Sequence, residues 1–500
     1  MEFAEIKSSW PLLTSLQLLP LILSAVLWRL RGRPAIAVAI VGALTEMLLA
    51  ITLYHGFDAS SRLMQFAEHS RLLGFINYHV AADGMTVLFV LLTALFGLLG
   101  VFFIILRRLY NTPVMAVMAA IQASLMSQFV SLDLLWFVLT SGVEMMLVGY
   151  LLYRWATFID AQPMITRYTQ FMTVSFILLL IGTFMLGWNY ADNTAGIWSF
   201  DLYRLDGKPI EPTVATLIFF SLFYGLGIRI PVFPFHGWLP IAMQHGNIAV
   251  APVFLLGLKV GVFGLLRFVF PLVPESVTNW HKIAVIFAVT GVFYAALLAM
   301  RQNNIRRLLA YAVISHTSIL VIGLFTLSRA GFEGSLMLSI NFGLAVSGLI
   351  FMTGLVWLRT RTTSIQKLGG LFETIPWVGI AFLIAGLAII GMPGTPGFDA
   401  VHFVLEASIV EFGALVTIAA ALGNVVAAAF LLRAFQRAFL SKPEQNRQSW
   451  DTTPAKWSEN LMAAIMILII LGIGFFSDPW LDLLEQPLDG LTQHFEGRAH

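Results

Sequence analysis

Apolar residues run along this chain in long blocks, nearly free of charge, that recur from residue 10 to residue 477 with short polar connections between them. A helical run of 18 or more such residues crosses a hydrocarbon core of roughly 30 Å. The blocks predict spans over 10–28, 35–54, 84–106, 113–131, 134–153, 168–189, 213–235, 248–270, 281–300, 308–327, 334–357 and 375–396. A longer segment over 404–437 and a last span over 460–477 bring the total to about fourteen. Proline breaks the seventh and twelfth of these. The pattern therefore predicts an all-α integral membrane protein with no soluble domain between its helices.

Composition agrees. Of 500 residues, 58% are hydrophobic and 11% charged, against about 25% charged in soluble domains. Net charge is +2, and no basic run interleaved with aromatics appears, which excludes nucleic acid as a partner. The absence of cysteine excludes disulfides, thiolate nucleophiles and cysteine-ligated zinc or iron–sulfur clusters. The ten histidines are scattered, so no metal site and no cofactor are expected. Glu2, Glu5 and Lys7 precede the first apolar run, unlike the basic start of a cleavable signal peptide, so that run is read as a retained span.

Charge between the spans sets orientation, because Lys and Arg accumulate in short cytoplasmic loops. One set of alternate loops holds Arg29, Arg31 and Arg33; Arg107 and Arg108; Arg154 and Arg167; Arg301, Arg306 and Arg307; Arg359, Arg361 and Lys367; and Arg433, Arg437, Lys442, Arg447 and Lys456, eighteen of the 29 basic residues. The opposite set is acidic or mixed, with Asp192, Asp201, Asp206 and Glu211 in one loop and Asp478, Asp482, Glu485 and Asp489 in the tail. Both termini are expected outside the cytoplasm of a bacterial-type cell membrane. The segment 235–247 breaks the rule, carrying His236 and His245 in place of Lys or Arg. It reads either as a tight surface loop or as a site of proton uptake.

Charge within the spans carries the chemistry. Burying an isolated charge at bilayer depth costs about 3 kcal/mol or more, so such residues persist where they pair or line a hydrated path. Glu144, Arg229, Lys259 and His316 each lie inside a different span. Glu144 and Arg229 can be read as a buried pair that only fixes helix register, and Lys259 or His316 as a packing donor to a backbone carbonyl. The alternative is a proton relay, in which burial and a nearby carboxylate move a lysine's proton affinity in opposite directions. Ser124, Ser127, Gln128, Ser315, Thr317, Ser318, Ser339, Asn341, Ser347 and Asn424 share these spans and together can hold water.

The two proline breaks match. One reads Arg229-Ile-Pro231-Val-Phe-Pro234-Phe-His236 and the other Gly391-Met-Pro393-Gly-Thr-Pro396-Gly-Phe-Asp399-Ala-Val-His402. Each has two prolines at the same spacing and a histidine soon after. Paired interruptions point to the working site of a transporter built from inverted repeats, although a Pro-Gly break also simply ends a helix. The division that follows is 1–110 for the first three helices, 111–275 and 276–440 for two five-helix units, and 441–500 for a loop, the last helix and the tail.

These motifs resemble the antiporter-like membrane subunits of respiratory complex I, especially the M-type chain, and their relatives in multisubunit sodium/proton antiporters. The resemblance covers roughly 75–440 and rests on Asn-Tyr-His-Val-Ala-Ala-Asp-Gly-Met at 77–85, Val-Glu-Met-Met-Leu-Val at 143–148, Pro-Phe-His-Gly-Trp-Leu-Pro at 234–240, Arg-Arg-Leu-Leu-Ala-Tyr-Ala-Val-Ile-Ser-His at 306–316 and Gly-Met-Pro-Gly-Thr-Pro-Gly-Phe at 391–398. It implies fourteen helices, a half-channel in each repeat and a polar axis carrying protons. Glu144 matches the family's glutamate on the fifth helix, Lys259 its lysine on the eighth, and His316 the polar position on the tenth. Arg229 stands where the family usually has lysine, and an arginine holds its proton too firmly to relay it. Asn341 stands where the M-type chain commonly has histidine. After the second break the usual ionisable residue is out of register, leaving Asp399, His402 or Glu406 to take its place.

The resemblance implies a proton-translocating subunit without catalytic residues of its own, partnered by a redox arm, by sister antiporter subunits, or by a zinc-containing carbonic-anhydrase-like subunit in an inorganic-carbon pump. A sodium/proton antiporter subunit is a further reading. An intramembrane enzyme would need a nucleophile or metal cluster at one depth, and a pure scaffold would not need the interior charges.

Overall fold

A computed structural model describes residues 5–7, 10–73, 76–106, 112–156, 162–246, 251–442 and 450–496. Among them, twelve helices are long and apolar enough to cross a membrane. In chain order the helices are α1 (Leu12–Arg29), α2 (Gly32–Gly56), α3 (Gly84–Leu106), α4 (Thr112–Val130), α5 (Leu134–Arg154) and α6 (Gln162–Asp192). The first broken helix gives α7 (Pro212–Arg229) and α8 (Leu239–His245), and α9 (Ala251–Gly264) follows. Then come α10 (Pro274–Met300), α11 (Ile305–Leu324) and α12 (Arg329–Thr360). The second broken helix gives α13 (Pro376–Ile390) and α14 (Gly397–Phe412), followed by α15 (Ala414–Phe435), α16 (Trp457–Phe475) and α17 (Asp478–Thr492).

Local chemistry sets the ends. Pro212, Pro274 and Pro376 open their helices, where a missing N–H costs nothing. Asp133 caps α5 by accepting from Trp136 N, and Asn304 caps α11 by accepting from Arg306 N and Arg307 N. Nearly all of α11 and α12 is buried, so these helices form the centre. The outer helices present Leu415 and Val410 at the surface, as a lipid-facing wall requires.

Three features differ from the sequence reading. A small sheet joins β1 (Glu5–Lys7), parallel, to β2 (Met64–Leu73), which pairs antiparallel with β3 (Ile76–Ala82), so the chain is not wholly α. The segment expected at 404–437 is two helices meeting at Gly413, whose φ of 75° is open to glycine. The acidic tail folds as amphipathic α17, burying Leu484, Leu488 and Leu491. Helix α17 passes so close to the start of α3 that a Cβ on Gly84 would overlap the Leu483 carbonyl.

The bundle has a basic and an acidic end. At one, Arg31 bonds Thr112, Arg433 bonds the Met300 carbonyl, and Arg359 clasps Glu459 at 2.5 Å. At the other lie the sheet, Asp133, Asp201 and α17, which is tied by Arg329 to Asp489 at 2.8 Å. Glu5 and α17 share this acidic end, whereas Arg107, Arg108 and Arg447 lie outside the described residues.

Candidate functional site

The first break places Arg229. Helix α7 stops at that residue because Pro231 cannot continue the ladder, and Val232 N closes the turn on the Gly227 carbonyl at 3.0 Å. The Ile228 carbonyl, freed because Val232 N turns to Gly227, accepts from Trp238 Nε1 at 3.0 Å, and one turn earlier the Gly225 carbonyl accepts from Ser175 Oγ at 2.7 Å. After Pro234 the chain re-enters a helix, α8, so 235–246 completes the broken helix and is not a plain surface loop. Asn247 lies outside the described residues.

Arg229, at the end of α7, converges with α5 and α9. Its Nη2 donates to Glu144 Oε2 and to the Gly257 carbonyl at 3.1 Å, and its Nη1 donates to Ser141 Oγ. Glu144 and Arg229 are each 3% exposed. The contact depends on a bare backbone at Gly257, where a Cβ would stand 2.6 Å from Glu144 Oε1.

Lys259 follows two residues later on α9 and is 5% exposed. It has no ion pair or hydrogen bond among the described residues, and its Nζ lies 5.9 Å from the centre of the Phe342 ring. His316, 1% exposed, meets the same ring edge-on at 5.1 Å. Its Nδ1 faces the Ala312 carbonyl at 2.9 Å while Nε2 is unpartnered among the described residues. Phe342, a residue the sequence did not single out, is thus a common neighbour of the lysine and the histidine. Gln128 Oε1, Ser339 Oγ, Ser347 Oγ and Asn424 Oδ1 are also buried without partners there, and such atoms hold internal water.

The second break is organised differently. Helix α13 ends at Ile390 with Gly391 at φ 80°, and α14 starts at Gly397. Asn341 Nδ2 donates at 2.9 Å to the Ala388 carbonyl, which also accepts from Gly391 N, so this residue anchors the last turn of α13. The ionisable residues proposed beyond the break do not join the buried row. Gly397, Ala400, Val404 and Ala407 form the inward stripe of α14, which turns Asp399, His402 and Glu406 the other way by helical phase. His402 and Glu406 are exposed, and half-buried Asp399 accepts from Ser477 Oγ at 3.2 Å.

His236 lies in the first break, stacked on Phe233 at 5.7 Å and edge-on to Tyr294 at 5.2 Å, with Nδ1 unpartnered among the described residues. His245 ends α8, and the neighbouring Gly246 carbonyl accepts from Arg306 Nη2. Sequence reading missed Glu46, which is 2% exposed in α2 with both carboxyl oxygens unpartnered among the described residues. The signal was present, because Glu46 interrupts an apolar run as Glu144 does. No group of three metal-ligating side chains with suitable geometry occurs among the described residues.

Residues 131–428 match the family described as NADH:quinone oxidoreductase/Mrp antiporter, TM. The chain is 28% identical over 435 residues to NADH-quinone oxidoreductase subunit M of Escherichia coli K12, covering 84% of this chain and 83% of that protein. It is 28% identical over 485 residues to F(420)H(2) dehydrogenase subunit M of Methanosarcina mazei, covering 95% and 96%. In fold it is similar to a chain of respiratory complex I from Thermus thermophilus, with a TM-score of 0.87 at 24% identity, covering 97% of this chain and 100% of that one. A chain of the Mrp complex from Dietzia sp. DQ12-45-1b gives 0.85 at 17% identity, covering 97% and 98%.

Proposed function

We infer that this chain, which belongs to the NADH:quinone oxidoreductase/Mrp antiporter transmembrane family, is a proton-carrying subunit of a multisubunit, energy-coupled complex in a bacterial-type inner membrane. Protons move along Glu144, Lys259 and His316, with Arg229 as a fixed charge. The carrying observation is the joint made at Gly257, where one guanidinium binds Glu144, Ser141 and the backbone of the helix that presents Lys259. A guanidinium holds its own proton, so Arg229 biases Glu144 electrostatically and does not itself relay. Lys259, with no acceptor or counter-charge bonded among the described residues, is the next station. The unpartnered amide and hydroxyl atoms in α4, α12 and α15 supply sites for water between stations.

Two observations support reading 111–275 and 276–440 as related units. Each contains a broken helix, and each has a π-helical segment near its end, Leu265–Val269 in one and Gln436–Leu440 in the other. The arginine-rich end faces the cytoplasm on the positive-inside rule, which puts Glu5 and α17 outside. His236 and His245, at the cytoplasmic half of the first break, are the proposed site of proton uptake.

Glu144→Gln and Lys259→Ala in the assembled complex test the relay. Each is expected to abolish proton-coupled activity while the subunit still inserts and assembles with its partners. Normal proton flux in both would remove it.

A further inference from the structure

At the acidic end of the first unit, far from the four relay residues, a second group of titratable side chains is buried. His79 on β3 lies between two carboxylates, with Nε2 2.6 Å from Glu5 Oε1 and Nδ1 2.5 Å from Asp201 Oδ2. The His79 and Asp201 side chains are about as buried as Glu144, whereas Glu5 is 21% exposed and reaches the water. Beside Asp201, Asp133 is fully buried, with one oxygen capping α5 and Oδ2 unpartnered among the described residues. Backbone bonds fix the two aspartates side by side: Leu134 N donates to Phe200 O and Leu202 N to Leu132 O, both at 2.9 Å.

We propose that Glu5, His79, Asp201 and Asp133 form a proton-exchange site through which the Glu144–Arg229 pair communicates with water at the acidic end of the bundle. This rests on the relay proposed above. Asp133 heads the helix that carries Glu144, eleven residues or about 16 Å further along it. Between them Ser127, Gln128 and Ser141 line α4 and α5. Gln128 Oε1 is unpartnered among the described residues, and Ser141 Oγ already accepts from Arg229. In the second unit His281 Nε2 lies 3.4 Å from Glu411 Oε1, a longer and more exposed pair, while His402 and Glu406 face away from the inward stripe.

The transfer is a proton exchange with no other reactant. The N–H bond at His79 Nε2 breaks as an O–H bond forms on Glu5, which releases the proton to water. The ring starts as the Nε2–H tautomer, so Nδ1 takes a proton from Asp201 as Nε2 loses its own, Asp201 is reloaded from Asp133, and tautomer exchange through water moves the Nδ1 proton back to Nε2 for the next cycle. The surroundings suit this. Burial works against a charged His79, but Asp201 and Glu5 outweigh it and hold the imidazole above its ordinary value. Burial, with the charge of Asp201 adding, pushes Asp133 up to about 7. His69 on β2 and Tyr203 pack on the His79 ring at 5.0 and 5.2 Å. Arg204 acts on His69, and the 2.6 Å Asp83–Arg267 pair acts on Tyr203. None of these bonds the two His79 nitrogens.

The test uses membrane vesicles carrying the whole complex with the acidic end facing the medium, and reads proton-transfer rate against external pH. Asparagine also caps helices well, so Asp133→Asn removes a titrating group and keeps the fold. His79→Gln removes the second. Both are expected to slow transfer at least about tenfold and to flatten the external pH dependence near neutrality, at unchanged assembly. Wild-type rates and pH dependence in Asp133→Asn and His79→Gln, with Glu144→Gln inactive, would overturn the port and leave the relay standing. Undiminished flux in Glu144→Gln would remove the pair that the port is proposed to serve, and undiminished flux in Lys259→Ala as well would overturn the relay itself.

Discussion

Gly257 is the point at which a single added carbon reaches the buried ion pair. A Cβ there would lie 2.6 Å from Glu144 Oε1 and 3.4 Å from Arg229 Nη2. Comfortable contacts begin near 3.5 Å, so Gly257→Ala requires the carboxylate to withdraw by about 0.9 Å. Glu144 cannot yield freely, because the guanidinium that holds it is also bonded to Ser141 and to the Gly257 carbonyl. Overpacking of this kind costs about 1–3 kcal/mol, which, carried into the transfer barrier, slows transport by about 5- to 150-fold. Gly227→Ala is the control, since its Cβ meets nothing within 4 Å. The assay is the initial rate of proton uptake in vesicles, normalised to assembled complex. A Gly257→Ala complex working at the wild-type rate would show that Glu144 and Arg229 need not be held against this backbone.

Further outcomes are expected elsewhere. Arg229→Lys keeps a cation beside Glu144 and should retain more transport than Arg229→Ala, which strands a buried carboxylate at about 3–5 kcal/mol; equal losses would assign the role to guanidinium shape. Glu459→Gln opens the clasp in which Arg359 also bonds the Asp451, Thr453 and Pro454 carbonyls. It should lower the thermal midpoint in detergent by the equivalent of about 3–5 kcal/mol, with activity per assembled copy unchanged. His79 is held above its ordinary value by Asp201 and Glu5 against the effect of burial. Its contribution to stability is therefore full below about pH 6.5 and lost as pH rises through the elevated folded value. The wild-type midpoint should fall across that window, and His79→Gln should remove the fall.

Much of the membrane architecture was legible because lipid demands uninterrupted apolar runs, and Glu144, Arg229, Lys259 and His316 stood out as violations of them. Pattern failed where partners are distant in sequence. His79 and Asp201 are 122 residues apart, and although His79 lies in the 77–85 motif and Asp201 in an acidic loop, nothing in either segment pairs them. Phe342 is an ordinary apolar residue until Lys259 and His316 are both seen beside its ring. The sheet was missed because its strands are mixed in polarity, and α17 because its apolar positions form a stripe and not a block. Asp399, His402 and Glu406 were placed by closeness to Pro396, whereas the phase of α14, set by packing Ala400, Val404 and Ala407 inward, decides which way they face.

The π-helical turn at Leu265–Val269 separates two demands on one helix. Lys259 and Arg267 are eight residues apart, and regular winding would set them about 80° apart around the axis. One must meet the Phe342 ring and the other Asp83 and Thr86. A π-turn closes on the fifth residue where an α-turn closes on the fourth, so it absorbs a residue and rotates everything beyond it. Arg267 sits within that turn, so its azimuth can be set without disturbing that of the lysine, and deletion of Leu265 or Leu266 would swing Arg267 off its carboxylate while leaving Lys259 in place.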